Sequence, residues 1–292
     1  MPLYGGQSDT NAIKGVIIKR PAEAFGDQAR IAAEWRGLNY LAEPDYATAS
    51  AQHAQFASLL ARFGAELCYL PASAGTSLDS AYVRDPVILC NRGAIVCNMG
   101  KAARGAEPEA LGAFLESLGV PVIGAIGGEG RLEGGDVAWL DERTLAVGQG
   151  YRSNAEGLRQ LRSLLGDGVD EVIAVPLPHW TGPDDCLHLM SIFSPVDRDL
   201  AVVYSRLMAV PFRQELLRRG FKLVEVPDAE YDSMGCNVLA VAPRQCVMID
   251  GNPLTQARLE AAGARVWTYP GSDISVKGAG GPTCLTCAFR RE

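Results

Sequence analysis

The chain has 292 residues, 48% of them hydrophobic and 21% charged, and a formal net charge of -7. This balance belongs to a globular protein with a large core and excludes extended disorder, while the negative charge disfavours nucleic acid or an anionic membrane as partner and tilts toward a cationic small molecule. No apolar run approaches a membrane span, and Met1-Pro-Leu-Tyr-Gly-Gly-Gln7 lacks the basic-then-apolar pattern of a signal peptide, so a cytoplasmic location is expected.

After a polar leader, Gly15 to Pro21 reads as a strand stopped by proline, and a loop-rich stretch leads to a helix from about Pro44 to Phe63. In that helix Phe56, Leu59, Leu60 and Phe63 recur at helical spacing. An apolar run at Glu66 to Leu70 and a Gly/Ser loop precede paired strands around Tyr82 to Cys90 and Gly93 to Met99, joined at Asn91-Arg-Gly93. The order then recurs. Helices are expected over Glu107 to Ser117, Asn154 to Leu165, Pro211 to Arg219 and Pro253 to Ala262. A single apolar run follows each one: Gly119 to Gly124, Asp170 to Pro176, Phe221 to Pro227 and Ala264 to Pro270. A hairpin pattern then follows the first three of these runs, and the last leads into the glycine-rich tail that ends the chain.

Each unit is thus helix, single strand, loop and hairpin, with a period of roughly 45 to 55 residues, the mark of an array whose neighbours share a core. Five units fit around an axis. With no linker or composition break, residues 1–292 read as a single α/β domain.

The hairpin starts carry the chemistry. They read Tyr82-Val-Arg84-Asp85-Pro86, Leu132-Glu133-Gly-Gly-Asp136, Cys186-Leu-His188-Leu-Met190, Gly235-Cys-Asn237 and Gly281-Pro-Thr-Cys284. If the repeat holds, Asp85, Glu133, His188 and Cys284 converge at one end of the axis though far apart in sequence. Other readings compete. Cys284-Leu-Thr-Cys287 could be half of a zinc site or a redox pair, but no second pair of ligands stands at a comparable spacing and the motif closes the chain instead of opening a helix. Of the three histidines, His179 lies in a proline-rich loop and His53 on the first long helix, where a surface place is expected. Asp136 could orient backbone or His188, and Arg152, placed where a positive charge opposes the next helix's dipole, is better explained by a ligand.

The combination of Leu-Glu133-Gly-Gly-Asp136, Arg152 in Gly-Tyr-Arg-Ser-Asn154, His188 in Leu-His-Leu and Gly-Gly-Pro-Thr-Cys284 resembles the guanidino-group-modifying superfamily, or penteins, over essentially the whole chain. Within it the chain is most similar to the dimethylarginine dimethylaminohydrolases. The resemblance implies a five-bladed α/β propeller, no cofactor and no metal. It implies that Cys284 attacks the guanidinium carbon of a methylated arginine, with Glu133 and Asp85 holding the cation and His188 moving protons. The products would be citrulline and an alkylamine. Arg152 and Arg104 match carboxylate-binding arginines, and Asp136 joins the substrate-binding set.

Arginine deiminase is the near rival; Arg84-Asp85 resembles that group, while Met190 stands where its His-Leu-Asp has a carboxylate. Amidinotransfer and non-catalytic binding of arginine derivatives remain alternatives, and a second copy of the chain stays open as a partner.

Overall fold

The computed structural model describes residues 4–292 and builds five three-stranded sheets. The first joins β1 (Ile13–Ile18) to β2 (Glu66–Tyr69), with the chain running between them through α1 (Pro21–Ala24), α2 (Gln28–Glu34) and α3 (Tyr46–Arg62). The second holds β3 (Val87–Cys90) and β4 (Gly93–Val96), then α4 (Glu107–Ser117) and β5 (Val122–Ala125). The third repeats this with β6 (Val137–Asp141), β7 (Thr144–Gln149), α5 (Ala155–Leu165) and β8 (Glu171–Pro176). The fourth has β9 (Phe193–Asp197), β10 (Leu200–Val203), α6 (Val210–Arg218) and β11 (Lys222–Glu225). The fifth has β12 (Leu239–Ala242), β13 (Gln245–Ile249), α7 (Pro253–Ala261) and β14 (Arg265–Tyr269). The last strand, β15 (Cys287–Arg291), returns to pair antiparallel with β1 and completes the first sheet.

In every sheet the first two strands are antiparallel and the third lies parallel to the second, a pairing that needs a crossover, here helical. The sheet boundary therefore falls one strand later than the sequence repeat suggests: the single strand after each helix joins the hairpin before it, not the hairpin after it. The loop that follows then carries the chain to the next sheet.

Local chemistry explains the elements. Asn154 caps α5 by accepting from the Gly157 N–H at 2.8 Å, Glu156 stands in the first turn, and Leu161 and Leu165 face the core. The expected loop at Pro21 is two short helices instead. Pro21 sits at the first helical position and Asp27 caps α2 by accepting from the Arg30 N–H at 2.9 Å. Only Ile31 of α2 is buried, so no apolar period announces it.

β6 packs on β9 and β9 on β12, so the first strands of successive sheets line the axis. Strands such as β10, buried at all four residues, are covered on both faces, by the axis and by the outer helices. The leader ties the base together: Asp9 accepts from the Trp139 N–H at 2.7 Å and pairs with Arg84 at 3.0 Å. No helix among the described residues is long and apolar enough to cross a membrane.

Candidate active site

Each sheet's first strand is preceded by a tight turn, and five such turns meet at one end of the axis. They place Asp85 before β3, Glu133 before β6, His188 before β9, Asn237 before β12 and Cys284 before β15. A cavity of about 280 Å³ opens there, walled by Asp85, Arg152, Cys186, His188, Asn237 and Cys284, with Leu41, Thr181 and Asp184 among the other lining residues. The close approach needs glycine at two points. A Cβ on Gly135 would collide with the His188 ring and lie 2.8 Å from Asp85, and one on Gly281 would collide with Asn237.

His188 is buried with its two nitrogens in different surroundings. Nε2 lies 2.7 Å from Glu133 Oε2, while Nδ1 faces the cavity, 3.7 Å from Cys186 Sγ and 3.9 Å from Asp85 Oδ1. Glu133 is fully buried and accepts from Arg152 Nη1 at 2.9 Å and from the Gly100 and Lys101 N–H groups at 2.9 and 3.1 Å. Burial opposes ionisation of Glu133, but the His188 hydrogen bond and charge, with Arg152 and Arg104, hold its carboxyl well below the usual range. Burial likewise opposes a charged imidazole, and Cys186, Asp85 and Asp136 outweigh it, raising His188 well above its ordinary value. These surroundings therefore favour the protonated ring.

Asp85 is held on one side only. Its Oδ2 accepts from Arg104 Nη1 at 2.5 Å, whereas Oδ1, buried at the cavity wall, has no hydrogen-bond partner among the described residues. An orphaned buried carboxylate oxygen costs free energy until a donor reaches it. Arg104 has four of its five N–H groups engaged: besides the Nη1 bond to Asp85, Nε donates to both Glu107 oxygens at 3.1 Å, and Nη2 to Glu107 at 2.7 Å and to the Tyr82 carbonyl at 2.9 Å. It has no fork left for a substrate carboxylate, which corrects the expectation for Arg104; its place is to hold Asp85.

Cys284 sits between Asn237 Nδ2 at 3.4 Å and Thr283 Oγ1 at 3.8 Å. Asn237 Oδ1 accepts in turn from the Thr283 N–H and hydroxyl at 3.1 and 2.9 Å, fixing the turn that presents the sulfur. Burial and the Asp85 and Cys186 charges push the Cys284 thiol up, with His188 and Thr283 opposing. Cys287 lies inside β15, its thiol pushed to about 12 by burial.

The geometry alters further expectations. Glu133 does not line the cavity, so it is not placed to hold a cation; it holds His188 and Arg152. Asp136 is also beneath the cavity floor, accepting from the Leu189 N–H at 3.0 Å and the Ser153 hydroxyl at 2.6 Å, which fits the orienting reading rather than substrate binding. Burial raises it to about 6. Arg152 lines the cavity with Nη1 on Glu133, and its Nε and Nη2 carry no hydrogen bond among the described residues. His53 is buried, not on the surface, and burial lowers it to about 4. His179 bonds Tyr151 at 2.7 Å outside the cavity. Arg84 turns its guanidinium to Asp9 and the Val137 carbonyl.

Asn237, Cys186 and Asp79 also line the cavity, although the sequence gives none of them a role; the first stands at the fourth hairpin start, so the repeat itself is the signal that points to it. Asp79 pairs with Lys101 at 2.7 Å on the cavity wall. Asp85, Glu133 and His188 bring one donor atom each within 4.8 Å, but Glu133 and His188 already bond each other, which makes the group an ion-pair network.

Five sheets around an axis, with a cysteine, a histidine and buried carboxylates at one end, define the pentein class of guanidino-modifying enzymes. The arginine deiminase family profile matches residues 77–218 and 209–291, and the chain belongs to that family. Dimethylarginine dimethylaminohydrolase of Pseudomonas aeruginosa is 26% identical over 278 residues, covering 94% of this chain and 99% of that protein. Arginine deiminase of Mycobacterium marinum is 32% identical over 192 residues, covering 55% of this chain and 47% of that protein. In three dimensions, a crystal structure of the Pseudomonas aeruginosa enzyme, a cysteine-to-serine mutant complexed with citrulline, superposes with a TM-score of 0.77 at 24% identity, covering 95% of this chain and 100% of that one.

Proposed function

We propose that the protein is a cysteine-dependent hydrolase that cleaves a C–N bond in the guanidinium group of an arginine derivative, with N-omega-methylated arginines as substrates. What supports this most is the orphaned Asp85 Oδ1, which shares a cavity with the Cys284 thiol and with His188, whose surroundings favour the protonated ring. An N–H of a guanidinium satisfies that oxygen and brings the cation beside the thiol, where its charge favours loss of the Cys284 proton to solvent.

The thiolate then attacks the guanidinium carbon, which resonance makes a poor electrophile for a weaker nucleophile. In the tetrahedral adduct the C–N bond breaks and the departing amine takes the proton from His188 Nδ1. A thiouronium remains on Cys284. His188, now neutral, accepts a proton from water, the hydroxide adds to the same carbon, and rupture of the C–S bond, with the proton of the added oxygen lost to solvent, returns the thiolate and releases a ureido product. Glu133 keeps the ring oriented through Nε2 and stabilises its charge in both halves. Arg152, with two donor positions unpaired, is the group assigned to the substrate carboxylate.

Full coverage of the dimethylarginine hydrolase, against about half of the deiminase, favours the methylated substrate. Incubation with arginine, monomethylarginine, dimethylarginine and agmatine, with detection of ureido product and released amine, tests the reading. Citrulline with methylamine or dimethylamine supports it; ureido product from agmatine alone, or none from any of the four, refutes it.

A further inference from the structure

The reaction described above uses one thiol, yet the cavity holds two. Cys186, half-buried on the cavity wall, lies 3.7 Å from His188 Nδ1, within reach of a sulfur hydrogen bond. Cys284 is paired with Asn237 and Thr283 instead. The two nitrogens of the imidazole are therefore held by different partners, Nε2 by Glu133 and Nδ1 by Cys186. Ser191 braces the turn that carries both side chains: its hydroxyl accepts from the His188 backbone N–H at 3.1 Å and donates to the Cys186 carbonyl at 3.4 Å.

We infer that Cys186 is a positioning residue for His188, sharing a proton with Nδ1 and thereby keeping the reacting nitrogen charged and aimed into the cavity until the leaving amine arrives. The inference rests on the role of His188 proposed above.

Several groups face the ring. Glu133 and Asp136 approach from the turn before β6, Asp85 from the turn before β3, and Cys284 from the turn before β15. Arg152 and Arg104 act at one remove, each paired with one of those carboxylates. Glu133 meets the other nitrogen, and Asp85 Oδ1 at 3.9 Å is beyond hydrogen-bond reach. Among the described residues Cys186 is the one side chain that bonds Nδ1. An imidazolium N–H that donates to this sulfur is favoured over the neutral ring, so removing the sulfur lowers the proton affinity of His188.

The test is a pH titration of the histidine rings by NMR in the full chain. With only three histidines, His188 is assigned by comparison with His53→Gln and His179→Gln. Cys186→Ser, whose shorter side chain draws the acceptor atom back from Nδ1, is predicted to lower the His188 midpoint by about one pH unit or more. The alkaline limb of kcat should move with it, with KM within about twofold. Cys186→Ala serves as the second variant and should behave alike, with circular dichroism and melting confirming the fold. A His188 midpoint that superimposes on the native one in both variants overturns the inference. The titration is read without substrate. A shifted midpoint in a protein that turns over no guanidine supports the Cys186–His188 pair while sinking the proposed reaction.

Discussion

Glu133 Oε2 lies 2.7 Å from His188 Nε2, and both groups are buried. In the proposed reaction this bond occupies Nε2 and leaves Nδ1, the atom that faces the cavity, to pass a proton to the leaving amine. Glu133→Gln keeps the shape but removes the charge that favours imidazolium. It should lower kcat roughly 100- to 10,000-fold with a smaller change in KM. Steady-state kinetics would check this, and a mutant whose loss lies wholly in KM would return Glu133 to the role of cation ligand.

The same pair sets part of the pH dependence of stability. Glu133 is depressed below its ordinary 4.5, so its contribution is present above that value and is lost as pH falls toward the folded pKa. His188 is raised above 6.5, so its contribution is present below that value and is lost as pH rises through the folded pKa. Asp136 opposes: burial raises it to about 6 from 3.8, so ionising it costs folded-state stability as pH rises through that window. Asp136→Asn can still accept from the Leu189 N–H and bond the Ser153 hydroxyl. Its melting temperature relative to the native protein should therefore improve between about pH 4 and 7. A difference that stays flat with pH would count against this.

Arg104 separates a structural role from a binding role. Arg104→Ala leaves Asp85 and Glu107 buried without their cation, and the cost should be about 3–5 kcal/mol in denaturant unfolding. Arg104→Met combined with Glu107→Met should recover part of it. Were Arg104 a carboxylate ligand only, stability would be unchanged and KM alone would rise.

Asn237 holds the turn that carries the sulfur. Asn237→Asp brings a carboxylate toward Cys284, so alkylation of that thiol should shift to higher pH and kcat should fall. Mass spectrometry of the Cys284 peptide after timed iodoacetamide treatment reads the shift directly.

The tail is structural as well as chemical. Removing residues 287–292 deletes β15, leaves β1 without its antiparallel partner and uncovers the core contacted by Phe289. The truncated chain should lose its cooperative melting transition along with activity.

The five-unit repeat is legible in the sequence because each unit alternates a helical period with short apolar strands, and those periods survive without tertiary contacts. The equivalence of Asp85, Glu133, His188, Asn237 and Cys284 follows from it. Sheet partnership is not legible, because a lone strand such as β5 carries no mark telling whether it joins the hairpin before or after it. Nor is the commitment of each charge. Arg104 and Arg152 look alike as sequence, and only the fold decides that Glu107 and Asp85 engage all three nitrogens of the first while Glu133 takes one arm of the second. Cys186, two residues before His188, reads as one more small apolar residue until the turn folds its sulfur onto Nδ1.

The most direct test of the mechanism is mass spectrometry of the protein quenched in acid during turnover of dimethylarginine, with the modified peptide sequenced. A substrate-derived adduct should appear on Cys284 in the native protein and be absent, together with citrulline formation, in Cys284→Ser. Citrulline production that persists in Cys284→Ser, or an adduct carried by Cys186, would contradict it.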